Sequence, residues 1–206
     1  MYRPKKYRKD EDEFILPFLR KFPFATFVLK GDHLLATHIP VLIDESEDGK
    51  WRLFSHIANH NEQKEFLKED VEVLLIFQGA HSYISSSWYE EADISTWDYS
   101  AVHVNGKIKL QSEPELRESL SKLVANFEKE QENPLYYDNI PKKMLEDHLP
   151  QITGFWIEPV KVEGIAKLHQ SYRSKDVKRV VSKLDASEDP IKNQISEDIK
   201  NEHNLQ

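Results

Sequence analysis

Hydrophobic residues along this chain keep two periods. Around WRLFSHI (51–57) they alternate strictly with polar positions, as in a strand with one face in a core. FPFATFVLKGDHLLATHIPVLID (22–44) predicts a hairpin, strand 24–30 turning at Gly31-Asp32 into strand 33–43. Residues 45–49, ESEDG, read as a turn. VEVLLIF (71–77), a stretch over 99–112 and ITGFWIEPVKVEGIAKLHQ (152–170) complete about six strands, the last bent at Pro159. The helical period appears in 10–22, where Phe14, Phe18 and Leu19 share a face and Pro17 predicts a kink or split. A short helix is predicted over 61–70, capped by Asn59 or Asn61. The clearest helix is 113–131, with Ser112 as cap, Pro114 in the first turn and a stripe of Leu116, Leu120, Leu123, Val124 and Phe127. KKMLEDHL (142–149) and 174–184 follow as helices, and from Asp185 the chain reads as a polar, frayed tail.

Hairpins without a regular strand–helix–strand alternation predict a mainly β protein with peripheral helices, an antiparallel barrel or sandwich. One domain over 1–184 is expected, with 185–206 outside it. The middle of the pattern, SSSWYEEADISTWDY (85–99), is an excursion between two strands that carries Trp88 and Trp97 in a polar, acidic context. A large ring left in water forgoes about 1.5–3 kcal/mol of burial. These rings are therefore expected to cover a barrel end, a second subunit or a flat ligand.

Composition narrows the chemistry. The chain has 206 residues and no cysteine, which excludes disulfides, thiolate catalysis and cysteine-ligated metals. No apolar run approaches the roughly 20 residues of a membrane span, and the start, MYRPKKYRKDEDE, has no apolar leader segment. The cytoplasm is the default location. A net charge of −8 argues against a broad nucleic-acid surface. Positive charge does gather at Arg3, Lys5, Lys6, Arg8 and Lys9, which reads as a solvated arm or a weak phosphate contact.

Two constellations could carry binding chemistry. ATHIPVLI (36–43) sets Thr37 and His38 in an otherwise apolar strand, suited either to the edge of a heteroaromatic ligand or to backbone groups and solvent. SHIANHNEQK (55–64) runs from a strand into the predicted helix. It gathers His56, Asn59, His60, Asn61 and Lys64 near N–H groups, an anion site or simple capping. His56 and His60 have i,i+4 spacing but no third ligand, so no metal is expected. No GxSxG, Walker or GxGxxG motif occurs, and no acid–base carboxylate pair is recognisable.

ATHIPVLID, FSHIANHN, LLIFQGAHSYISSSWY, STWDYSAVHVNGKI and EGIAKLHQSYR, in that order, resemble the PaiB family over about residues 1–184. Members are FMN-binding proteins named as negative transcriptional regulators of sporulation and degradative-enzyme production. The resemblance implies a split β-barrel of the pyridoxine-phosphate oxidase and flavin reductase type, a homodimer with FMN in a cleft. By motif it assigns Thr37, His38 and Pro40 to the flavin ring and His56, Asn59, Asn61 and Lys64 to its phosphate. Thr96, Trp97, Tyr99, Lys167 and Gln170 are assigned to the rest of the cleft. Ser55 stands where the pattern has Gly, Ser86 where it has Pro, and His169 and Ser171 depart from a KLSQN-like run. The implied function is regulation, acting indirectly or as a flavin sensor without direct DNA binding; the alternative is an FMN-dependent oxidoreductase.

Overall fold

A computed structural model describes residues 1–46 and 49–205. Glu47 and Asp48, at the centre of the expected turn, lie outside the described residues. The sheet has seven strands: β1 (Phe24–Lys30), β2 (Leu34–Pro40), β3 (Leu42–Glu45), β4 (Trp51–Ala58), β5 (Glu72–Ile84), β6 (Thr96–Leu110) and β7 (Ile152–Lys167). Five helices accompany them: α1 (Asp12–Lys21), α2 (Glu113–Glu128), α3 (Lys142–His148), α4 (Ser174–Asp185) and α5 (Pro190–His203). The strand order is β2-β1-β5-β6-β7-β4-β3, antiparallel throughout. This is the mainly β split barrel that the family resemblance implies, with the peripheral helices that the sequence pattern predicts.

The chain groups into two compact units. One comprises 1–18, 77–103 and 163–206; the other comprises 19–76 and 104–162. The second contains the curl of the sheet. β2 and β3 are the two edges of the strand order, yet only Val41 separates them in sequence. The expected strand 33–43 is therefore two strands. The Val41 N–H bonds the Pro23 carbonyl at 2.8 Å and its side chain is buried, which turns the chain from one edge to the other. The Ser55 hydroxyl, buried on β4, donates to the Pro40 carbonyl at 2.7 Å across that seam. A Gly there would lose this bond. Ala25, Phe27 and Leu29 of β1 face the interior, where Phe27 stacks on Phe155 with centroids 5.3 Å apart.

The first unit holds its own core of Ala80, Ile84, Tyr89, Ala166, Leu168, Val177, Val180, Val181, Leu184, Ile195 and Ile199, and Trp88 packs against it. The segment expected as a frayed tail supplies two of these residues, because α5 is a capped amphipathic helix. The Asp189 carboxylate accepts the Ile191 N–H at 2.9 Å, Pro190 opens the first turn, and Asn204 closes the helix at φ 52°. The basic N-terminal arm is docked through Arg3 and Lys9, while Lys5, Lys6 and Arg8 stay exposed. Arg3 pairs with Asp10 and Glu163, its side chain only 9% exposed, and Lys9 pairs with Glu202 at 2.8 Å. Gly164 permits the approach, since a Cβ there would stand 1.9 Å from the Lys9 carbonyl oxygen.

Three further expectations change. Pro17 does not split α1, which runs unbroken from Asp12 to Lys21; a proline removes one ladder bond and the apolar face still buries Ile15, Phe18 and Leu19. The helix predicted over 61–70 is a four-residue 3-10 turn, Glu62–Glu65. The excursion contracts to the eleven residues 85–95, because β5 continues to Ile84 and β6 starts at Thr96. No helix among the described residues is long and apolar enough to cross a membrane.

Candidate functional site

In the 19–76/104–162 unit, the period of a strand decides what each candidate can reach. Thr37 and His38 are neighbours on β2, so they project to opposite faces. Thr37 lies on the side of buried Leu35 and Ile39, whereas His38 is exposed and stacks on the exposed ring of Phe24 with centroids 5.9 Å apart. They form no joint polar edge on one face. Pro40 is held at the seam by Ser55. His56 is half-buried on β4, and burial pushes its imidazole below the ordinary range, favouring the neutral ring.

Asn59 is committed to the fold. Its Nδ2 donates to the Pro150 carbonyl at 2.8 Å and its Oδ1 accepts the Thr153 hydroxyl at 2.6 Å. Asn61 caps the 3-10 turn: its Oδ1 accepts the Gln63 N–H at 2.9 Å and its carbonyl accepts the Lys64 N–H at 2.9 Å. The turn is too short for a macrodipole, and these N–H groups are taken. What it offers an anion is Lys64, half-buried and without an ion pair among the described residues. Gln63, which the sequence reading passes over, anchors the turn by donating from a buried amide to the Phe27 and Leu35 carbonyls, both at 3.2 Å.

The other candidates lie in the unit formed by 1–18, 77–103 and 163–206. Thr96 and Trp97 again take opposite faces. Trp97 is 53% exposed and forms an aromatic patch with His81 and Tyr83, at centroid distances of 5.7 and 6.2 Å. Trp88 is half-buried against the core, so of the two tryptophans Trp97 is the exposed one. Tyr99 packs beside Tyr7, Ala101 and Ile165. Lys167 at the end of β7 donates to the Thr96 hydroxyl and, at 2.6 Å, to the Trp97 carbonyl. Gln170 is occupied locally, its Oε1 accepting the Leu168 N–H at 2.8 Å and its Nε2 donating to the Ala166 carbonyl at 2.6 Å. Asp98, His169 and Tyr89 form a buried hydrogen-bonded group beside Lys167. The alternation of β6 could have flagged Asp98 as inward-facing; nothing local pairs it with His169. No metal-binding cluster occurs among the described residues.

Comparison with known proteins places these features. Residues 1–161 match the family described as "Putative FMN-binding domain". The chain is also 34% identical, over 96% of its length and 95% of the relative's, to the protease synthase and sporulation protein PAI 2 of Bacillus subtilis (strain 168). The chain belongs to the PaiB family. Solved structures resemble this PaiB-family chain in fold. The flavocytochrome Anf3 of Azotobacter vinelandii superposes with a TM-score of 0.59 at 12% identity, over 85% of this chain and 77% of that one. The FAD and heme binding protein of Mycobacterium smegmatis gives 0.57 at 16%, over 84% and 79%. Among the cationic candidates of the PaiB-family chain, Lys64 has no ion pair among the described residues, whereas Lys167 already gives two of its donors to Thr96 and Trp97.

Proposed function

We propose that this chain is a PaiB-type negative regulator: a cytoplasmic split-barrel homodimer that binds FMN and acts on gene expression indirectly, through its flavin state. The observation that carries the reading is the match to the FMN-binding family over most of the barrel, with Lys64 an uncommitted cation in the very motif assigned to the phosphate. Thr37, His38, Pro40, His56, Thr96, Trp97, Tyr99 and Lys167 are the remaining contact candidates. Asn59, Asn61 and Gln170 act by shaping their segments, since their side chains are engaged within the fold. Indirect action follows from the net charge of −8 and from the N-terminal arm, whose Arg3 and Lys9 are held in ion pairs.

The family carries a second reading, an FMN-dependent oxidoreductase. In it the flavin supplies the redox chemistry and this chain supplies binding and orientation. The test for both is an absorption spectrum of the freshly purified protein with and without added FMN. A perturbed flavin spectrum that saturates with FMN is expected. Absence of any spectral change or binding at millimolar FMN overturns both readings.

A further inference from the structure

A group of buried polar side chains gathers at the start of β6, in the unit that contains Lys167. Asp98 has no solvent exposure, and its Oδ2 accepts from Nδ1 of His169. A carboxylate only accepts, so Nδ1 carries the ring proton. On the far side of the ring, Nε2 shares a hydrogen bond with the Tyr89 hydroxyl at 3.0 Å. Tyr172 stacks on the imidazole with centroids 4.1 Å apart, and His169 itself is 1% exposed. The ring is held from three sides, and its backbone adopts φ 63°, a left-handed conformation that costs a non-glycine residue energy.

The other carboxylate oxygen is anomalous. Asp98 Oδ1 is buried and has no hydrogen-bond partner. A cation stands close by: Lys167 Nζ is 3.9 Å away, too far for a hydrogen bond. Two of the three ammonium donors go instead to Thr96 Oγ1 and the Trp97 carbonyl. Burial pushes Lys167 below the usual lysine range, Asp98 opposes that, and Lys6 adds to it. A buried carboxylate and a half-buried ammonium left to themselves would close to a contact pair at about 2.8 Å. Two restraints hold them apart: the bonds of the ammonium to Thr96 and Trp97, and the grip of His169 on Oδ2.

We propose that His169 is a positioning residue: by holding Asp98 from behind, it keeps the carboxylate out of contact with Lys167 and leaves the third ammonium N–H for an anionic group of a ligand. The ligand's identity rests on the flavin reading above; the geometry does not.

The experiment uses the full chain with ¹³Cε-labelled lysine. The Lys167 signal is assigned by Lys167→Arg and followed by NMR through a pH titration. His169→Asn is the informative variant, because asparagine tolerates the left-handed backbone but is too short to hold Asp98 in place. Asp98 then swings onto Lys167, and the Lys167 pKa rises. Asp98→Asn removes the counter-charge, and the pKa falls. A merely structural role would give the same sign in both, since loosening the fold exposes Lys167 and raises it each time. Shifts of the same sign, or none, overturn the proposal. In parallel, FMN titration of His169→Asn should show affinity reduced roughly tenfold, as expected when one charge-assisted hydrogen bond is lost. Unchanged FMN affinity alongside opposite shifts removes the ligand-facing role of Lys167. If the unmodified protein binds no FMN, the flavin reading fails, and the paired titrations still decide the positioning role.

Discussion

Lys64 and His56 share one short segment but differ in what surrounds them, and the difference sets their expected behaviour. Lys64 is cationic and unpaired among the described residues, so a dianionic phosphate beside it gains a charge-assisted bond of about 1.5–3 kcal/mol. Lys64→Ala should therefore weaken FMN binding by about tenfold or more while changing riboflavin, which lacks the phosphate, little. Isothermal titration with both ligands checks this, and equal losses would assign Lys64 to the fold instead. His56 is buried enough that its folded pKa lies below the ordinary 6.5. The unfolded chain therefore takes up a proton that the folded chain resists. Stability contributed by the neutral ring is present above about pH 6.5 and is lost as pH falls toward the folded value. Urea midpoints should drop between about pH 7 and pH 5, and His56→Gln should flatten part of that drop. His103, shifted downward by burial in the same way, accounts for another part.

Among the elements, α2 and α5 show how far a pattern can be trusted. The Glu115 carboxylate accepts both the Ser112 N–H at 2.8 Å and the Ser112 hydroxyl at 2.6 Å, so the start of α2 is where its sequence puts it. The apolar stripe is covered only at its first turn: Leu116 is buried, Leu120, Leu123 and Val124 are half-buried, and Phe127 is 39% exposed. Periodicity states which face is apolar but not whether a neighbour covers it. In α5 the signals were all legible: Asp189-Pro190 at the start, Ile191, Ile195 and Ile199 four apart, Asn204 at the end. The many charged residues between them masked the stripe. Because Ile199 is fully buried with α4 against α5, Ile199→Ala should cost about 2–5 kcal/mol. Thermal and urea denaturation should show this as a single shifted transition. A loss under about 0.5 kcal/mol would mean that α5 does not support the core.

At the scale of the whole molecule, the exposed rings bear on assembly. Trp97 at 53% and Tyr83 at 47% exposure lie beside His81 on one aromatic patch, the kind of surface that marks an interface. A two-fold dimer using this patch should sediment at roughly twice the 24.2 kDa chain mass at micromolar concentration, and Trp97→Lys should shift it toward monomer. A monomer in the unmodified protein would remove the dimer from the proposed function.

What the sequence determined by itself was local: the strands and helices whose side-chain period, caps and turns are written in consecutive residues, and the motifs that place the chain in its family. Tertiary structure decided the rest because the deciding partners are distant in sequence. Val41 becomes a junction only when β2 and β3 fall at opposite edges of the sheet. Asn59 and Gln170 leave the list of uncommitted binding groups once Pro150, Thr153, Ala166 and Leu168 take up their side chains. Thr37 and His38 are adjacent in sequence and divided by the pleat. Asp98 and His169 are 71 residues apart, and no local pattern of charge or hydropathy brings them together. Burial does, by making the hydrogen bond between them far cheaper than leaving either group unpaired.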